Sequence, residues 1–540
     1  VFRSVLVANR GEIAVRVFRT ARRLGVRSIA VFSDADRGAL HTREADEAVY
    51  IGPAPAAESY LNAVRILKAA RDSGAEAIHP GYGFLSENFG FSQAVKDAGL
   101  IWIGPSPHAI KAMGLKDEAK RLAEAAGVPV LPGYRGADQS VETLQAEADR
   151  IGYPLLIKAI AGGGGRGIRE VHSRDDVRPQ LESARREALA AFGNDLVMLE
   201  RLVTRPRHIE VQVFGDSHGN IVHLYERDCS LQRRRQKVVE EAPAPGMNTA
   251  TRKAMTEAAV KLAMAVDYQG AGTVEFIVDG SQALSPTSFW FLEMNTRLQV
   301  EHPVTELITG VDLVEWQFRV AAGEPLPLPQ NRIPLAGHAI EARIAAENPA
   351  LGFRPSVGRL RELNDFPVNE EDLRLDAGYD VGDRVPGIYD NLVAKLIAHG
   401  VGDKAQSARE AARVSLVQGL CRLSPEGFTT NVGFLVRALE TEAFVCGAVQ
   451  TGLIAEMGEA LTHPPQATIE VVAVAAGLLQ LDTIGEVTAD AWVDPWATPS
   501  GFRVNAPPRR QTLVTVENAT FTVELLELGS LAALLRLNGQ

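Results

Sequence analysis

Apolar and polar positions change their spacing several times along the chain, and each change marks a layer. Ser4 to Ala8 is a short apolar run closed by Asn9-Arg10-Gly11. Apolar positions then recur at helical spacing from Glu12 to Leu24, and after Gly25 the run Ser28 to Phe32 is strand-like again. Strand, helix, strand in that order predicts a βαβ unit, because parallel neighbours need a crossover. Ala75 to His79 before Pro80-Gly81-Tyr82-Gly83 and Leu100 to Ile103 before Gly104-Pro105 repeat the pattern, which sets residues 1–115 apart as one α/β layer. A helix is expected from Lys116 to Gly127 and a strand over Val128 to Leu131. Strand-like Pro154 to Ala159 and Ile168 to Val171 flank a glycine run, so a small lobe at about 130–203 is expected inside a region 116–318.

From 208 to 302 the period drops to two, as in Ile209-Glu210-Val211-Gln212-Val213, which predicts antiparallel strands with one polar face. Gly337 to Ile344 and Ala394 to Ala398 add further strands. Helices expected at Lys404 to Val417 and Asn431 to Glu440 complete a region 330–454. After Pro464-Pro465 the character changes to an Ala/Val-rich helical stretch, then Asp494-Pro495-Trp496 and alternating strands at Gln511 to Leu528. A separate β-containing module is therefore expected at 460–540. The fold class expected from these layers is α/β combined with α+β.

Length agrees with several cores, since 540 residues is three to four times a domain of about 150. Apolar residues at 46% and charged residues at 23% exclude a disordered or fibrous chain. With 56 basic and 67 acidic residues the net charge of −11 opposes general attraction to nucleic acid or anionic membrane, so an anionic ligand needs a local basic pocket. Three scattered cysteines, Cys229, Cys421 and Cys446, fit a reducing compartment. The longest apolar stretch, near Val471 to Leu479, is well short of the ~20 residues of a membrane helix. A cytoplasmic protein with neither a nucleic-acid nor a membrane partner is expected. From the start at Val1 and the final Leu-Asn-Gly-Gln a trimmed chain is expected.

Four stretches carry candidate chemistry. The run Gly162-Gly163-Gly164-Gly165-Arg166-Gly167 is entropically costly to order, and its backbone N–H groups, with Lys158 and Arg166 beside them, can grip phosphate as a lid. A floppy hairpin tip is the plainer alternative. In Glu293-Met294-Asn295-Thr296-Arg297-Leu298-Gln299-Val300-Glu301 the polar members fall on every second position, so an extended segment would aim Glu293, Asn295, Arg297, Gln299 and Glu301 from one face. Phe289-Trp290-Phe291-Leu292 leads into it and implies a buried approach. Glu275, in Val274-Glu275-Phe276-Ile277-Val278, is expected to fold back beside Glu293, and the oxygen donors Glu275, Glu293 and Asn295 suit Mg²⁺ or Mn²⁺ rather than zinc. Glu226 to Lys237 packs five cations without interleaved aromatics, which points to a small anion pocket fed by Lys237 and Arg297 rather than to nucleic acid, with a solvated charged face as the alternative. Taken alone, His79 and His208 read as packed histidines and Cys229 as a structural thiol.

Leu6-Val7-Ala8-Asn9-Arg10-Gly11-Glu12-Ile13-Ala14, His79 to Asn88, the glycine run, Glu226 to Pro245 and Glu293 to Thr305 follow one another as they do in a known family. Over about residues 1–454 the chain resembles the biotin carboxylases of the ATP-grasp superfamily, and in particular the alpha subunits of biotin-dependent acyl-CoA carboxylases. The 3-methylcrotonoyl-CoA type is the most similar, with propionyl-CoA and acetyl-CoA types next. The resemblance implies a biotin carboxylase N-terminal domain at 1–115, an ATP-grasp domain at 116–318 with a mobile lid, and a C-terminal α+β domain at 330–454. It further implies that 460–540 is part of a docking domain for a carboxyltransferase beta subunit, in a hetero-oligomer.

Carried over residue by residue, the resemblance implies that Lys116, Lys158, Glu200, His208 and Gln232 hold ATP, with Gly162, Gly163, Gly164, Gly165, Arg166 and Gly167 closing over its phosphates. Glu275, Glu293 and Asn295 would bind Mg²⁺ or Mn²⁺. Lys237, Arg297, Gln299 and Val300 would hold bicarbonate, Glu301 would be its base, and Arg343 would stabilise the biotin enolate. Arg235 stands where relatives usually carry His, and Ile160 where a small hydroxyl residue is common. No Met-Lys-Met biotin attachment sequence occurs, so the biotin carrier domain is expected beyond Gln540. Rival readings are a pyruvate carboxylase fragment or another ATP-grasp ligase, and a non-catalytic scaffold subunit.

Overall fold

The computed structural model describes residues 1–160, 168–361, 372–423 and 425–464, a few positions between 468 and 475, and three strands between 510 and 537. Two compact units are present, Val1–His463 and Pro464–Gln540. The glycine run 162–167, the side chain of Lys116, Asp494-Pro495-Trp496 and most of the Ala/Val-rich stretch lie outside the described residues.

The amino-terminal layer is a five-stranded parallel sheet in the spatial order Glu47–Gly52, Arg27–Ser33, Ser4–Val7, Ala77–His79, Ile101–Trp102. Val5, Leu6 and Val7 are completely buried, as a strand covered on both faces must be. The helix Gly11–Arg23 forms the first crossover, so the loop after the central strand carries Asn9 and Arg10, and the first turn of the helix carries Glu12, to one edge of the sheet.

The lobe is a four-stranded antiparallel sheet, ordered Gly133–Tyr134, Val197–Arg201, Leu155–Ala159, Ile168–Val171, packed on the helices Val141–Ile151 and Val177–Phe192. Leu144, Ile157, Leu181 and Leu199 give it a core of its own. The strand expected at Val128 to Leu131 does not form. Val130 makes an isolated bridge to Phe291, and regular pairing begins only at Gly133.

An eight-stranded antiparallel sheet carries the rest of the first unit. Its order is Phe289–Asn295, Gly270–Asp279, Pro206–Gly215, Ile221–Arg233, Gln236–Ala242, His338–Ala345, Leu392–Gly400, Leu373–Ala377. Hydrogen bonding runs without a break between strands on either side of 318–330, because Gln236–Ala242 pairs directly with His338–Ala345. Period two sorts the faces: Ile209, Val211 and Val213 pack on the helix Thr249–Met264, which leaves His208, Glu210 and Gln212 for the opposite face. The helices His302–Thr309 and Ala405–Arg422 bury Val304, Ile308, Ala412 and Leu416 at the far half of the sheet.

The second unit is described by a three-stranded antiparallel sheet, Arg510–Val516, Ala519–Leu528, Ala533–Leu537.

Candidate active site

The polar face of the large sheet, the loops of the amino-terminal layer and the lobe enclose a cleft of about 1170 Å³. Lys237, at the start of Gln236–Ala242, sits at its floor. Its Nζ donates to Glu210 Oε2 at 2.5 Å, Glu301 Oε1 at 2.6 Å and Glu275 Oε1 at 2.9 Å. Arg343 Nε donates to Glu240 Oε1 at 2.6 Å, and its NH2 to Glu301 Oε2 at 2.9 Å. Beneath them Arg227, with no exposed side-chain surface, donates to Glu210 Oε1 at 2.7 Å. Two charges about 3 Å apart attract by about 5 kcal/mol at an effective dielectric near 20, which only matches the several kcal/mol needed to bury each ion. The cluster holds because Lys237 touches three carboxylates and Arg343 two.

These contacts set the protonation states. Burial resists ionisation of Glu301, but Lys237, Arg343 and Arg227 outweigh it and hold the carboxyl well below the usual range. The first turn of the helix His302–Thr309 follows directly and favours negative charge at the same place. Glu275 is likewise held low against burial by Lys237 and His208, whose Nε2 lies 2.9 Å from Glu275 Oε2. Glu240, also buried, is pushed up to about 7, since Arg343 only partly offsets burial and Glu301 is close.

The row from Glu293 to Glu301 converges by a different route from the one its alternation predicts. The strand ends at Asn295, Thr296 to Glu301 turns, and a helix with Pro303 in its first turn begins at His302. Glu293 is paired opposite Glu275 in the neighbouring strand, and Asn295 Nδ2 donates to Glu275 Oε1 at 2.7 Å. Arg297 turns toward the amino-terminal layer, where its Nε donates to Glu87 Oε2 at 2.9 Å. Gln299 Nε2 donates to Glu275 Oε1 at 3.2 Å. Glu293, Asn295, Arg297, Gln299, Val300 and Glu301 all line the cleft. The donor set fits the metal expected: Glu275, Glu293 and the amide oxygen of Asn295 offer hard oxygen donors on two paired strands.

At the other pole Glu200 lies between Lys120 and Lys158, hydrogen-bonded to both ammonium groups. Ala159, Ile160 and Ile168, which flank the glycine run, border the cleft. Gln232 Nε2 is 3.2 Å from His208 Nδ1 and donates to the Cys229 carbonyl at 3.1 Å. The basic run does not form one patch. Arg227 is buried, Arg233 and Arg235 line the rim, and Arg234 and Arg235 close the turn between Ile221–Arg233 and Gln236–Ala242 with φ of 48° and 71°. That conformation favours glycine and costs about 1 kcal/mol or more per residue.

His208 is no isolated packed histidine, because it is paired with Glu275 and raised by it against burial. His79 is packed, 3.1 Å from Gln317 Oε1, and burial lowers it to about 4. Burial pushes the Cys229 thiol far up, away from reactivity. Glu210, Arg227, Glu240, Glu87 and Lys120 were not singled out by sequence reasoning. Glu210 left a signal as one of the polar positions alternating with Ile209, Val211 and Val213, Arg227 lay within the cation run Glu226 to Lys237, and Glu87 and Glu240 lay within the motifs His79 to Asn88 and Glu226 to Pro245.

A lobe with two lysines on a buried glutamate, facing a carboxylate-lined sheet across one cleft, defines an ATP-grasp ligase. Three family descriptions match in order: "Biotin carboxylase, N-terminal domain" over residues 1–110, "Carbamoyl-phosphate synthase L chain, ATP binding domain" over 116–329 and "Biotin carboxylase C-terminal domain" over 341–456. The chain belongs to the biotin carboxylase family, whose reaction is the ATP- and Mg²⁺-dependent carboxylation of biotin. It is 49% identical over 521 residues to the rat mitochondrial methylcrotonoyl-CoA carboxylase subunit alpha, covering 95% of this chain and 71% of that one. It is 55% identical over 450 residues to the rice protein of the same name, covering 83% and 60%. The biotin carboxylase domain of a Hydrogenobacter thermophilus 2-oxoglutarate carboxylase, solved as a dimer with MgADP, ADP and bicarbonate, superposes with a TM-score of 0.77 at 41% identity, covering 86% of this chain and 99% of that one. The chain thus spans 60% of the rice relative's length. Among the described residues no helix is long and apolar enough to cross a membrane.

Proposed function

We propose that this chain carboxylates biotin on a carrier domain as the alpha subunit of an acyl-CoA carboxylase, and that the acyl group finally carboxylated is 3-methylcrotonoyl-CoA. The observation that carries the reading is the Glu301 carboxylate held between Lys237 and Arg343, at 2.6 and 2.9 Å, inside the cleft that the Lys158–Glu200 pole also faces. Kept ionised, Glu301 takes the bicarbonate proton, and a bicarbonate oxygen then attacks the γ-phosphorus of ATP. The new O–P bond replaces the bond to ADP, and the resulting carboxyphosphate breaks down to carbon dioxide and phosphate.

Lys237, Arg297, Gln299 and the Val300 backbone hold the anion, with Arg297 aimed by Glu87. Lys116, Lys158, Glu200, His208, Gln232 and the run 162–167 hold the nucleotide. Glu275, Glu293 and Asn295 hold Mg²⁺ or Mn²⁺, which neutralises phosphate charge when bound. Arg343 offers its guanidinium to the ureido group of biotin. The 460–540 module docks a carboxyltransferase beta subunit, and its antiparallel strands support that role. The cysteine pattern supports a reducing compartment, the cytoplasm in this reading, while the plant and mammalian relatives carry mitochondrial names.

The test is ADP release from ATP by the purified chain with and without bicarbonate and free biotin, followed by a biotinylated carrier and beta subunits offered 3-methylcrotonoyl-, propionyl- and acetyl-CoA. ADP release that depends on bicarbonate and rises with biotin is expected, with 3-methylcrotonoyl-CoA the best acceptor. A rate indifferent to bicarbonate overturns the carboxylase reading, and a faster propionyl-CoA reaction overturns the acyl assignment.

A further inference from the structure

Lys395 lies in the apolar run Val393-Ala394-Lys395-Leu396-Ile397-Ala398 of the strand Leu392–Gly400, and its side chain is fully buried. An ammonium group is costly to bury unless it is closely paired. Yet its nearest carboxylate oxygens, on Glu12 and Asp376, stand 3.6 and 4.0 Å away. The closest partner is a backbone group: Lys395 Nζ donates to the Val300 carbonyl at 2.6 Å. His302 reaches the preceding carbonyl, its Nδ1 lying 2.7 Å from Gln299 O. The two carbonyls before the base are thus pinned from behind, while the Gln299 and Glu301 side chains meet Lys237 at 3.4 and 2.6 Å. Glu12 comes from the first turn of Gly11–Arg23, lines the cleft, and neither of its carboxylate oxygens has a hydrogen-bond partner among the described residues.

We propose that Lys395 is a positioning residue for the bicarbonate subsite. Its ammonium fixes the Val300 carbonyl and so aims Gln299 and Glu301 at the anion, and its charge ties that turn to Glu12 of the amino-terminal helix. The proposal rests on the assignment of Glu301 as base. A charge-assisted hydrogen bond is roughly twice as strong as a neutral one, which suits a turn whose placement matters, since a shift of about 1 Å in a reacting group can lower a rate about 100-fold. A carbonyl that needed only satisfying would be served by a hydroxyl or a water, with no buried charge and no facing acids. Asp376 is held ionised by Arg374 and Lys395, whereas burial pushes Glu12 up to about 7 and Glu341 far up against the pull of Lys395; Arg374, Arg343 and His302 complete the surroundings.

The experiment is steady-state ADP release by the full chain, varying bicarbonate and ATP separately, for the wild type, Lys395→Met and Glu12→Gln. Lys395→Met keeps the length and removes charge and donor. The KM for bicarbonate is expected to rise about tenfold or more with a fall in kcat, while the KM for ATP stays within about twofold. Glu12→Gln replaces a buried acid that makes no hydrogen bond among the described residues by a neutral residue of the same shape, and leaves Lys395 its bond to the Val300 carbonyl and Asp376 at 4.0 Å, so it is the milder of the two changes to the fold. Its bicarbonate KM is expected to rise about threefold, again without change for ATP. A bicarbonate KM within about twofold of wild type in the folded variants, with activity falling only as the folded fraction falls, makes Lys395 a structural residue and overturns the proposal. Absence of bicarbonate-dependent turnover in the wild type would instead overturn the function itself, and the proposal with it.

Discussion

Glu301→Gln separates the chemistry from the architecture. The substitution keeps the shape of a side chain that is 2% exposed and removes its charge. Lys237 retains Glu210 at 2.5 Å and Glu275 at 2.9 Å, and Arg343 retains Glu240 at 2.6 Å, so no cation is left without a partner. Hydrogen bonds to charged groups contribute about 1.5–3 kcal/mol each, and the Gln carbonyl still accepts one. Relief of a buried charge offsets part of what is lost, so the stability change stays within about 2 kcal/mol. Loss of a general base lowers a rate about 10²–10⁴-fold, or about 3–5 kcal/mol of barrier. The Lys120–Glu200–Lys158 group makes none of these contacts, so ATP affinity is expected to change less than about twofold. The assay is coupled ADP release at saturating bicarbonate, with equilibrium binding of an ATP analogue measured alongside. Because Glu301 is held well below the usual carboxylate range, its ionised form persists through that range and is lost only as pH falls well below it. No inflection between about pH 6 and pH 9 should therefore belong to this group. A kcat within about tenfold of wild type, or nucleotide affinity falling in step with kcat, refutes the assignment of Glu301 as base.

Arg343→Met is expected to lower the biotin-stimulated rate about 100-fold while bicarbonate-dependent release without biotin falls less than about tenfold; equal loss of both rates would remove Arg343 from the biotin side of the cleft. Lys158→Met is expected to raise the KM for ATP about tenfold or more and to leave the KM for bicarbonate unchanged, checked by the same two titrations. Glu241 accepts hydrogen bonds from Arg409 at 2.6 and 3.0 Å and pairs with His338 at 2.7 Å, and these partners outweigh burial and lower it to about 2. That depression contributes about 3 kcal/mol, present above the ordinary carboxylate value and lost as pH falls through about 2. Glu241→Gln should therefore unfold more easily at neutral pH and show a shallower dependence of stability on pH between about 5 and 2; an unchanged slope in urea titrations would contradict it.

The layers were legible where one periodicity held for the length of an element. Ser4 to Ala8 and Glu12 to Leu24 read as strand and helix because local spacing and a closing Gly agree with the packing that follows. Legibility fails at Val128 to Leu131, where apolar content alone imitates a strand but one bridge to Phe291 is all the neighbouring backbone offers. The site divides in the same manner. Glu293 and Asn295 sit on a strand and obey period two, whereas Arg297, Gln299 and Glu301 reach the cleft through a turn, so the expected convergence holds for a reason the alternation does not contain. The buried charges are the harder case. Nothing local distinguishes Arg227, fully buried on Glu210, from exposed Arg234 seven positions later, because the difference lies in strand, turn and helix segments 15 to 78 residues away that supply Glu210, Gln212, Thr273, Gln299 and Thr305 as partners. Lys395 left a faint trace, a lone cation in an otherwise apolar strand, and such a residue must find its compensation elsewhere in the fold. The charges that surround Glu301 are thus set by long-range pairing across the sheet, while the residues assigned to substrate sit in short runs whose spacing could be read in the sequence.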